Sequence, residues 1–462
     1  MIDAYLLIDF GSTYTKLTLV DINNEEIIAT SKAITTVQTN IMDGFNNAYQ
    51  ILQTKFPKTK INIVKKLACS SAAGGLKMVT IGLVPELTVE AGKRAALGAG
   101  ARVLKSYSYE LSQSEIDEIQ NMKVDIILLS GGTDGGNTKT IITNAKKVAE
   151  HFSHIPIIVA GNKCAYDEIR EIFANYQLDY VMTENVMPRL NEINVTTVRE
   201  KIREVFMKNI VKSKGMDTAE TFIDGILMPT PAAVLKASEV LAKGTNKVDG
   251  IGDLIVVDIG GATTDVHSLA SGYPTQTGIN LKGLQEPYAK RTVEGDLGMR
   301  YSALALLEAS GEKMLAKYDI HDDIYEKCLY RHNHIDYVAD NPQDLKFDEA
   351  LAKVATKLAM NRHVGRVEIA YTPLGEVFNQ YGKDLLDVKY LIGTGGILVH
   401  SNNPEDILKE GLFDKLEPTL LKPKAPLIKI DYDYILSSMG LLAFDLPDCA
   451  FRIMKKYIIN KN

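Results

Sequence analysis

The chain has 462 residues, 45% of them apolar, and sets 52 Lys and Arg against 58 Asp and Glu for a formal charge of −6 at pH 7. At roughly 100 to 200 residues per domain this implies about two to four domains with real cores, and the mildly acidic balance argues against a surface built to grip nucleic acid. The four cysteines, Cys69, Cys164, Cys328 and Cys449, lie far apart with no CxxC pair, which excludes by spacing a cysteine zinc site, an iron–sulfur cluster or a disulfide framework and makes a reducing cytoplasm the expected compartment.

The opening MIDAYLLIDFGS carries no basic leader, and no apolar run approaches the roughly 18 residues that span a bilayer, so no membrane partner is expected. Tyr5 to Asp9 reads as an apolar strand, Gly11-Ser12-Thr13 as a turn, and Thr15, Leu17 and Leu19 as an alternating return strand, together a hairpin that opens a sheet. Ile27 to Ser31 supplies a third strand, and Asp43 to Thr54 has helical spacing in Phe45, Ala48, Ile51 and Leu52. Between Ser112 and about Thr183, helices (Glu115 to Met122, Thr138 to His151, Ala165 to Tyr176) alternate with strands (Val124 to Leu129, Ile155 to Val159, Tyr180 to Thr183). That alternation predicts a parallel α/β module inserted in a larger fold. Its first strand runs into Ser130-Gly131-Gly132-Thr133-Asp134-Gly135-Gly136-Asn137. The loop is either a tight strand-to-helix turn with an Asn cap, or an anion or partner site in which Gly131, Gly132, Thr133 and Asp134 would make the contacts.

A Lys-rich amphipathic helix from about Val195 to Ser213 leads to Pro229-Thr230-Pro231-Ala232-Ala233-Val234, and a second strand-rich unit opens at Leu254. Ser302 to Asp387 reads mostly helical, Leu374 to Tyr381 included; strand Val388 to Ile392 precedes another glycine cluster; a helix near Tyr434 is followed by a basic tail that reads as solvated. The expected domains are a first lobe of residues 1–75 and 226–253, an inserted module of 76–225, a second lobe of 254–433, and a C-terminal helix, about 434–462, packed at the hinge.

Three constellations carry the chemistry. In Ile8-Asp9-Phe10-Gly11-Ser12-Thr13-Tyr14-Thr15-Lys16 a strand delivers a carboxylate to a Gly and hydroxyl turn able to cradle phosphate oxygens, with Asp9 suited to the hydration shell of Mg²⁺. Val257-Asp258-Ile259-Gly260-Gly261-Ala262-Thr263-Thr264-Asp265 repeats the pattern, so two facing hairpins would clamp phosphates with the metal, held through water by Asp9 and Asp258, between them. In Ile392-Gly393-Thr394-Gly395-Gly396 a glycine turn after a strand lets backbone approach a flat ligand, or is a plain turn. Arg331-His332-Asn333-His334 has no accompanying ligand pattern and reads as exposed helix-end histidines; His267 reads as packing or, beside Asp265, as a base.

In order and residues these motifs resemble the actin-like ATPase superfamily of sugar kinases, seventy-kilodalton chaperones and actin, an α/β ribonuclease H-like duplicated fold. Asp9 to Lys16 is similar to the phosphate-1 hairpin, Asp258 to Asp265 to phosphate-2, and Gly393 to Gly396 to the adenosine motif. Pro229 to Val234 and Ser437 to Ala443 resemble the connecting helices, whose small residues allow a close crossing at the hinge. The resemblance implies ATP and Mg²⁺ as cofactors, with Gly11, Ser12, Thr13, Lys16, Gly260, Gly261, Ala262, Thr263, Thr264, Gly393, Thr394, Gly395 and Gly396 at the nucleotide. Where the chaperones carry a water-positioning Glu before the connecting Pro-Thr, Met228 stands here. Hydrolysis would be slow or borrow Glu294 or Asp296, unless Asp296 is instead a helix cap.

Over essentially the whole chain, the set IDFGSTYTK, LLSGGTDGGN, VDIGGATTDVHS, EGDLGMR and LIGTGG resembles the accessory proteins of adenosylcobalamin-dependent glutamate (methylaspartate) mutase. The resemblance implies a reactivase-type chaperone with slow ATPase activity, partnered with mutase subunits and not with nucleic acid or membrane, and it leaves room for a homo-oligomer. The Asp-x-His-x-x-Gly cobalamin signature of the mutases is missing. A small-molecule kinase of the same fold is the alternative, and needs a catalytic Asp over a substrate hydroxyl that no motif clearly supplies.

Overall fold

In the computed structural model, which describes residues 2–36, 40–56, 61–71, 76–213, 223–224, 226–373 and 375–461, the hairpin β1 (Ile2–Phe10) and β2 (Tyr14–Asp21) opens a sheet continued by β3 (Glu26–Ile34). Helix α1 (Ile41–Thr54), whose first turn is capped by the Asn40 side chain, turns Phe45, Ala48 and Leu52 onto that sheet. Then β4 (Ile61–Ser70) returns parallel to β1. Because both faces of β1 are covered, Leu6-Leu7-Ile8 run apolar up to Asp9: Leu6, Ile8 and, beyond it, Phe10 pack toward α1, while Leu7 enters a second core on the other face.

The inserted sheet is all parallel, built from β5 (Lys77–Gly82), β6 (Arg102–Ser108), β7 (Ile126–Leu129), β8 (Ile157–Val159) and β9 (Tyr180–Met182) in the order β6-β5-β7-β8-β9. Between them lie α2 (Glu90–Gly98), α3 (Gln113–Asn121), α4 (Lys139–His151) and α5 (Tyr166–Asn175), and α6 (Thr196–Ser213) follows. The helix–strand alternation legible from Ser112 onward is present, but β5 and β6, which precede it, belong to the same sheet. One face, with Val79, Ile81, Ile127 and Leu129, has its own core against α4 and α5. The opposite face, with Met78, Ile126 and Leu128, merges with α6 into the core of the first sheet.

Strand β10 (Ile226–Pro229) completes the first sheet beside β4 and feeds α7 (Thr230–Lys243). The second half repeats the plan with β11 (Leu254–Ile259), β12 (Thr264–Leu269), β14 (Ala289–Glu294), β17 (Tyr390–Thr394) and β18 (Leu427–Ile430). The two sheets run β10-β4-β1-β2-β3 and β14-β12-β11-β17-β18. In each, an antiparallel three-strand meander is followed by two strands parallel to its first, so the chain has the duplicated actin-like ATPase fold. Helices α8 (Ala303–Ser310), α9 (Glu312–Ala316), α10 (Ile324–Asn333) and α11 (Pro342–His363) cover one face of the second sheet; α12 (Gly396–His400) and α13 (Pro404–Lys409) lie between β17 and β18.

Two expectations are corrected. The helix read over Leu374 to Tyr381 is a strand: β16 (Gly375–Tyr381) pairs with β15 (Arg366–Thr372) and β13 (Ile279–Lys282) in a small third sheet, and Leu374 lies outside the described residues. Val377, Phe378 and Tyr381 carry helix-like spacing, yet the Ile369↔Phe378 and Ala370↔Val377 cross-strand pairs win. The C-terminal segment is two helices, α14 (Leu436–Asp445) and α15 (Pro447–Met454), broken before Pro447. Lys455, Lys456 and Lys461 are solvated as expected, while the backbone that carries them is docked: Lys455–Ile459 continues as a helical turn with Ile458 and Ile459 buried, and exposed Lys456 pairs with Glu26. Helices α7 and α14 cross in a core that also takes Leu7 and Leu67 from the first sheet and Val256 and Leu269 from the second.

Candidate functional site

The β1–β2 turn closes on Gly11, whose N–H donates to the Asp9 and Tyr14 carbonyls at 3.0 and 3.1 Å; a Cβ there would lie 2.6 Å from the Tyr14 oxygen. The β11–β12 turn closes likewise, the Gly260 N–H donating to Thr263 O at 2.9 Å. The two turns face each other: a Cβ on Gly261 would come within 3.8 Å of Thr13 Oγ1. Residues 295–302 brace the second turn from behind, the N–H groups of Met299 and Arg300 and the Ser302 hydroxyl donating to the carbonyls of Gly260, Gly261 and Ala262 at 3.0, 2.7 and 2.8 Å. With the carbonyls engaged, the N–H groups of Ser12, Thr13, Gly261 and Ala262 have no protein partner among the described residues. Orphan donors on two opposed turns suit an anion between them.

Register delivers the charges. Asp9 and Lys16 are cross-strand neighbours, and their side chains lie 3.6 Å apart. Buried Asp9 accepts from Thr230 Oγ1 at 2.6 Å and Cys69 Sγ at 3.6 Å on one oxygen and from Ser437 Oγ at 3.1 Å on the other, so α7 and α14 both begin on this carboxylate. Lys16 Nζ sits 3.5 Å from the centroid of the Tyr434 ring. Burial pulls the Lys16 ammonium down, but Tyr434, Asp9 and Asp258 outweigh it and the lysine is held more basic than usual.

Asp258 is different. It is half-buried, and its carboxyl makes no hydrogen bond or ion pair among the described residues. Burial, then the Asp265 charge, pushes its carboxyl up to about 7 against the pull of Lys16, with Asp9 and Asp431 adding to the rise. An acid raised on folding favours the folded state while protonated, and that contribution is lost as pH climbs from the ordinary carboxylate range through about 7. A cation opposite Asp258 needs the carboxylate. With Mg²⁺-ATP as the ligand, as the sequence resemblance implies, affinity is expected to rise about tenfold between pH 6 and pH 8, and the Asp258→Asn variant to lose that dependence, as read by titration calorimetry. A flat wild-type profile would contradict the assignment.

Strand β17 lies beside β11, with Asp258↔Thr394 in register, which brings the third glycine cluster to the same edge. Its glycines have separate reasons. A Cβ on Gly393 would strike Leu398 and Leu408 at 2.7 Å, and one on Gly395, at φ +120°, would lie 2.4 Å from the Ile259 carbonyl. Both are packing glycines. Gly396 opens on space, with no atom within 4 Å of a Cβ. Gly396→Val is thus expected to keep the fold and to weaken adenine-nucleotide binding at least tenfold, whereas Gly395→Val loses stability instead; thermal unfolding alongside nucleotide titration separates the two. Thr394 Oγ1 donates to Asp431 Oδ2 at 3.2 Å, and Asp431 caps α14 by accepting from the Ile435 and Leu436 N–H groups at 2.9 and 3.0 Å. Asp431 and Tyr434 were missed in the sequence; an Asp just ahead of an apolar helical run is a cap signal that could have found the first.

Among the other expected residues, Ser12 donates to Ser71 O at 2.8 Å, Thr263 to Asp265 Oδ2 at 2.9 Å and Thr264 to Leu297 O at 2.6 Å, leaving Thr13 without a hydroxyl partner among the described residues. Glu294 stands opposite Thr264 in register. It does not project freely, because Arg362 donates to Glu294 at 2.7 Å and forks onto Asp296 at 2.7 and 2.8 Å. Asp296 is no helix cap; Ser302 precedes α8. In the inserted loop Asn162 accepts from Gly135 N and donates to the Gly136 and Asn137 carbonyls, while Asn185 donates to Gly132 O and Asp134. A Cβ on Gly132 would be 2.1 Å from Asn137 O, so this loop is knitted as a tight turn with Thr133 and Asp134 at its rim. His332 and His334 bond the Tyr301 and Tyr330 carbonyls through Nδ1, and no group of three or more metal-ligating side chains occurs among the described residues. Nor is any described helix long and apolar enough to cross a membrane.

The model of the MutL protein family matches residues 5–458. Protein MutL of Clostridium tetanomorphum is 64% identical over 459 residues, covering 99% of each chain. Among solved structures, gluconate kinase from Lactobacillus acidophilus aligns over 99% of this chain and 92% of its own at 11% identity, with a TM-score of 0.35. The activator of 2-hydroxyisocaproyl-CoA dehydratase from Clostridium difficile with bound ADPNP aligns over 99% and 98% at 10% identity, with a TM-score of 0.30. At such scores the likeness says nothing about chemistry; the fold stands on the strand order of the two sheets.

Proposed function

The chain belongs to the MutL protein family, and from that premise we propose that it is an ATP-dependent reactivating factor for an adenosylcobalamin-dependent mutase of the glutamate mutase type. The observation that carries the ATP part is Asp258, an unpartnered carboxylate beside Lys16 and Asp9, where two turns present orphan N–H groups to each other. Mg²⁺ fits this donor set: it keeps most of its waters and takes one or two carboxylates plus phosphate, so it needs no cage of three protein ligands. Asp258, with Asp9 behind it, would hold the hydrated ion, which when bound neutralises phosphate charge. Ser12, Thr13, Gly261 and Ala262 would donate backbone N–H groups to the β and γ phosphates, Lys16 would add its charge, and Gly396 would leave room for the adenosine.

Turnover in this reading is slow. Met228, buried and apolar, can activate no water, and the carboxylates Glu294 and Asp296 are both engaged by Arg362. Closing of the two lobes on ATP and reopening after hydrolysis would be the stroke that lets damaged cobalamin leave the client, driven by the difference in affinity of ATP and ADP for the two arrangements. The rim of the inserted loop, Thr133 and Asp134, is the surface offered to the mutase; Gly131 and Gly132 are buried and shape the turn beneath it.

The test is ATP hydrolysis by the purified chain with and without glutamate mutase inactivated by cyanocobalamin, together with recovery of mutase activity on adding adenosylcobalamin. ATP-dependent recovery is the expected result. ATPase without recovery would remove this client, and absence of both would remove the nucleotide reading itself.

A further inference from the structure

Behind the second turn lies a buried polar chain that the nucleotide site does not itself require. Thr263 Oγ1 donates to Asp265 Oδ2 at 2.9 Å, and the other Asp265 oxygen accepts from Arg291 Nε at 2.8 Å. Arg291, 4% exposed on β14, then donates Nη1 to the carbonyls of Leu97 and Ala101 at 3.1 and 2.9 Å, at the C-terminal end of α2. Helix α2 belongs to the inserted module, where it follows β5. We infer that Arg291 is the joint between the nucleotide turn and the inserted module, a positioning residue through which occupancy of the turn is felt by α2. This inference rests on the nucleotide reading above.

The chemistry favours a rigid link. A guanidinium is a planar fork that can hold a carboxylate on one edge and backbone carbonyls on another, and it meets α2 at the negative end of the helix dipole. Asp265 and Arg291 are both buried, so neither can readily trade its partner for water when the turn moves, and leaving a buried charge alone is strongly unfavourable. A second strut runs parallel, since Arg94 of α2 donates to the Leu284 and Gln285 carbonyls just before β14 and lies 3.4 Å from Glu286. Helix α2 thus rides on the second lobe by its side chains and on the nucleotide turn through Arg291. Coupling of this kind is reciprocal: whatever binds the module and shifts α2 changes nucleotide affinity by the same factor.

Hydrogen exchange followed by mass spectrometry tests the link, with Mg²⁺ and a non-hydrolysable ATP analogue as the probe. In the wild-type chain nucleotide is expected to slow exchange both in residues 258–265 and in residues 90–102. Arg291→Lys keeps the charge beside Asp265 but cannot reach both partners; protection of 258–265 should persist while the nucleotide-induced change in 90–102 falls at least fivefold. Should that variant not fold, Arg291→Met in an Asp265→Asn background leaves no buried charge alone and serves the same comparison. Undiminished protection of 90–102 in the variant, or wild-type protection confined to the turn, overturns the joint while leaving the nucleotide site standing. No protection anywhere in the wild type overturns both.

Discussion

Replacing Asp9 by asparagine is expected to lower ATP turnover by about 100-fold or more while the chain stays folded, a magnitude typical of losing one charge-stabilising group at a reacting phosphate. The carboxylate sits at a three-way junction. One oxygen takes the Thr230 hydroxyl at the head of α7, the other takes Ser437 in the first turn of α14, and Lys16 balances the charge. Asparagine keeps one acceptor, and a serine or threonine hydroxyl can turn to accept from the new amide, so the scaffold cost is that of one or two charge-assisted bonds, about 1.5 to 3 kcal/mol each at most. What asparagine cannot supply is the negative charge. Turnover within threefold of wild type, measured with thermal unfolding as a control for folding, would remove Asp9 from the site.

Gly440→Val should be the most damaging substitution for stability. A Cβ on Gly440 would lie 1.9 Å from the Ala233 carbonyl, a backbone atom of the crossing helix that has nowhere to retreat within the α7–α14 core. Overpacking a well-filled core typically costs 1 to 3 kcal/mol, and contact with backbone places this site at or above about 3 kcal/mol. Urea unfolding reads it directly, and a loss below about 1 kcal/mol would mean that the helices can part without cost. Because both helices start on Asp9, a surviving fraction of Gly440→Val should also turn over ATP more slowly.

Much of this was legible in the sequence because the informative features are local. An Asp at the end of an apolar strand followed by Gly and hydroxyl residues specifies a hairpin turn, and the Asp9↔Lys16 pairing follows from its register. The small residues of 229–234 and 437–443 likewise announce a close helix crossing. The failures came where local pattern and tertiary pairing disagree. Val377, Phe378 and Tyr381 have helical spacing but lie in a hairpin with both faces largely exposed, so no core enforces strand alternation. The exposed lysines of the tail were legible, but the burial of Ile458 and Ile459 beside them was not. Gly395 and Gly396 are identical in sequence, yet one is pressed on Ile259 and the other opens on space, a difference set by β11 lying beside β17. No local pattern links Asp265, Arg291 and Leu97, which meet only in three dimensions.

The stitching of the chain's two ends has a consequence for how the protein is made. The first sheet gains its edge strand β10 only after the inserted module has been synthesised, and its second face is sealed by α14 and α15. Thr18 meets Ser438 at 2.9 Å, the Ile27 N–H reaches the Tyr457 hydroxyl at 3.3 Å, and Glu25 pairs with Arg452. A ribosome therefore holds back the last pieces of the first lobe until residues 436–459 have been made, and the face carrying Leu7 and Leu67 has only α7 against it before then. Premature termination anywhere before α14 would release a product with its oldest segment unfinished, a ready substrate for the cell's holdases and proteases.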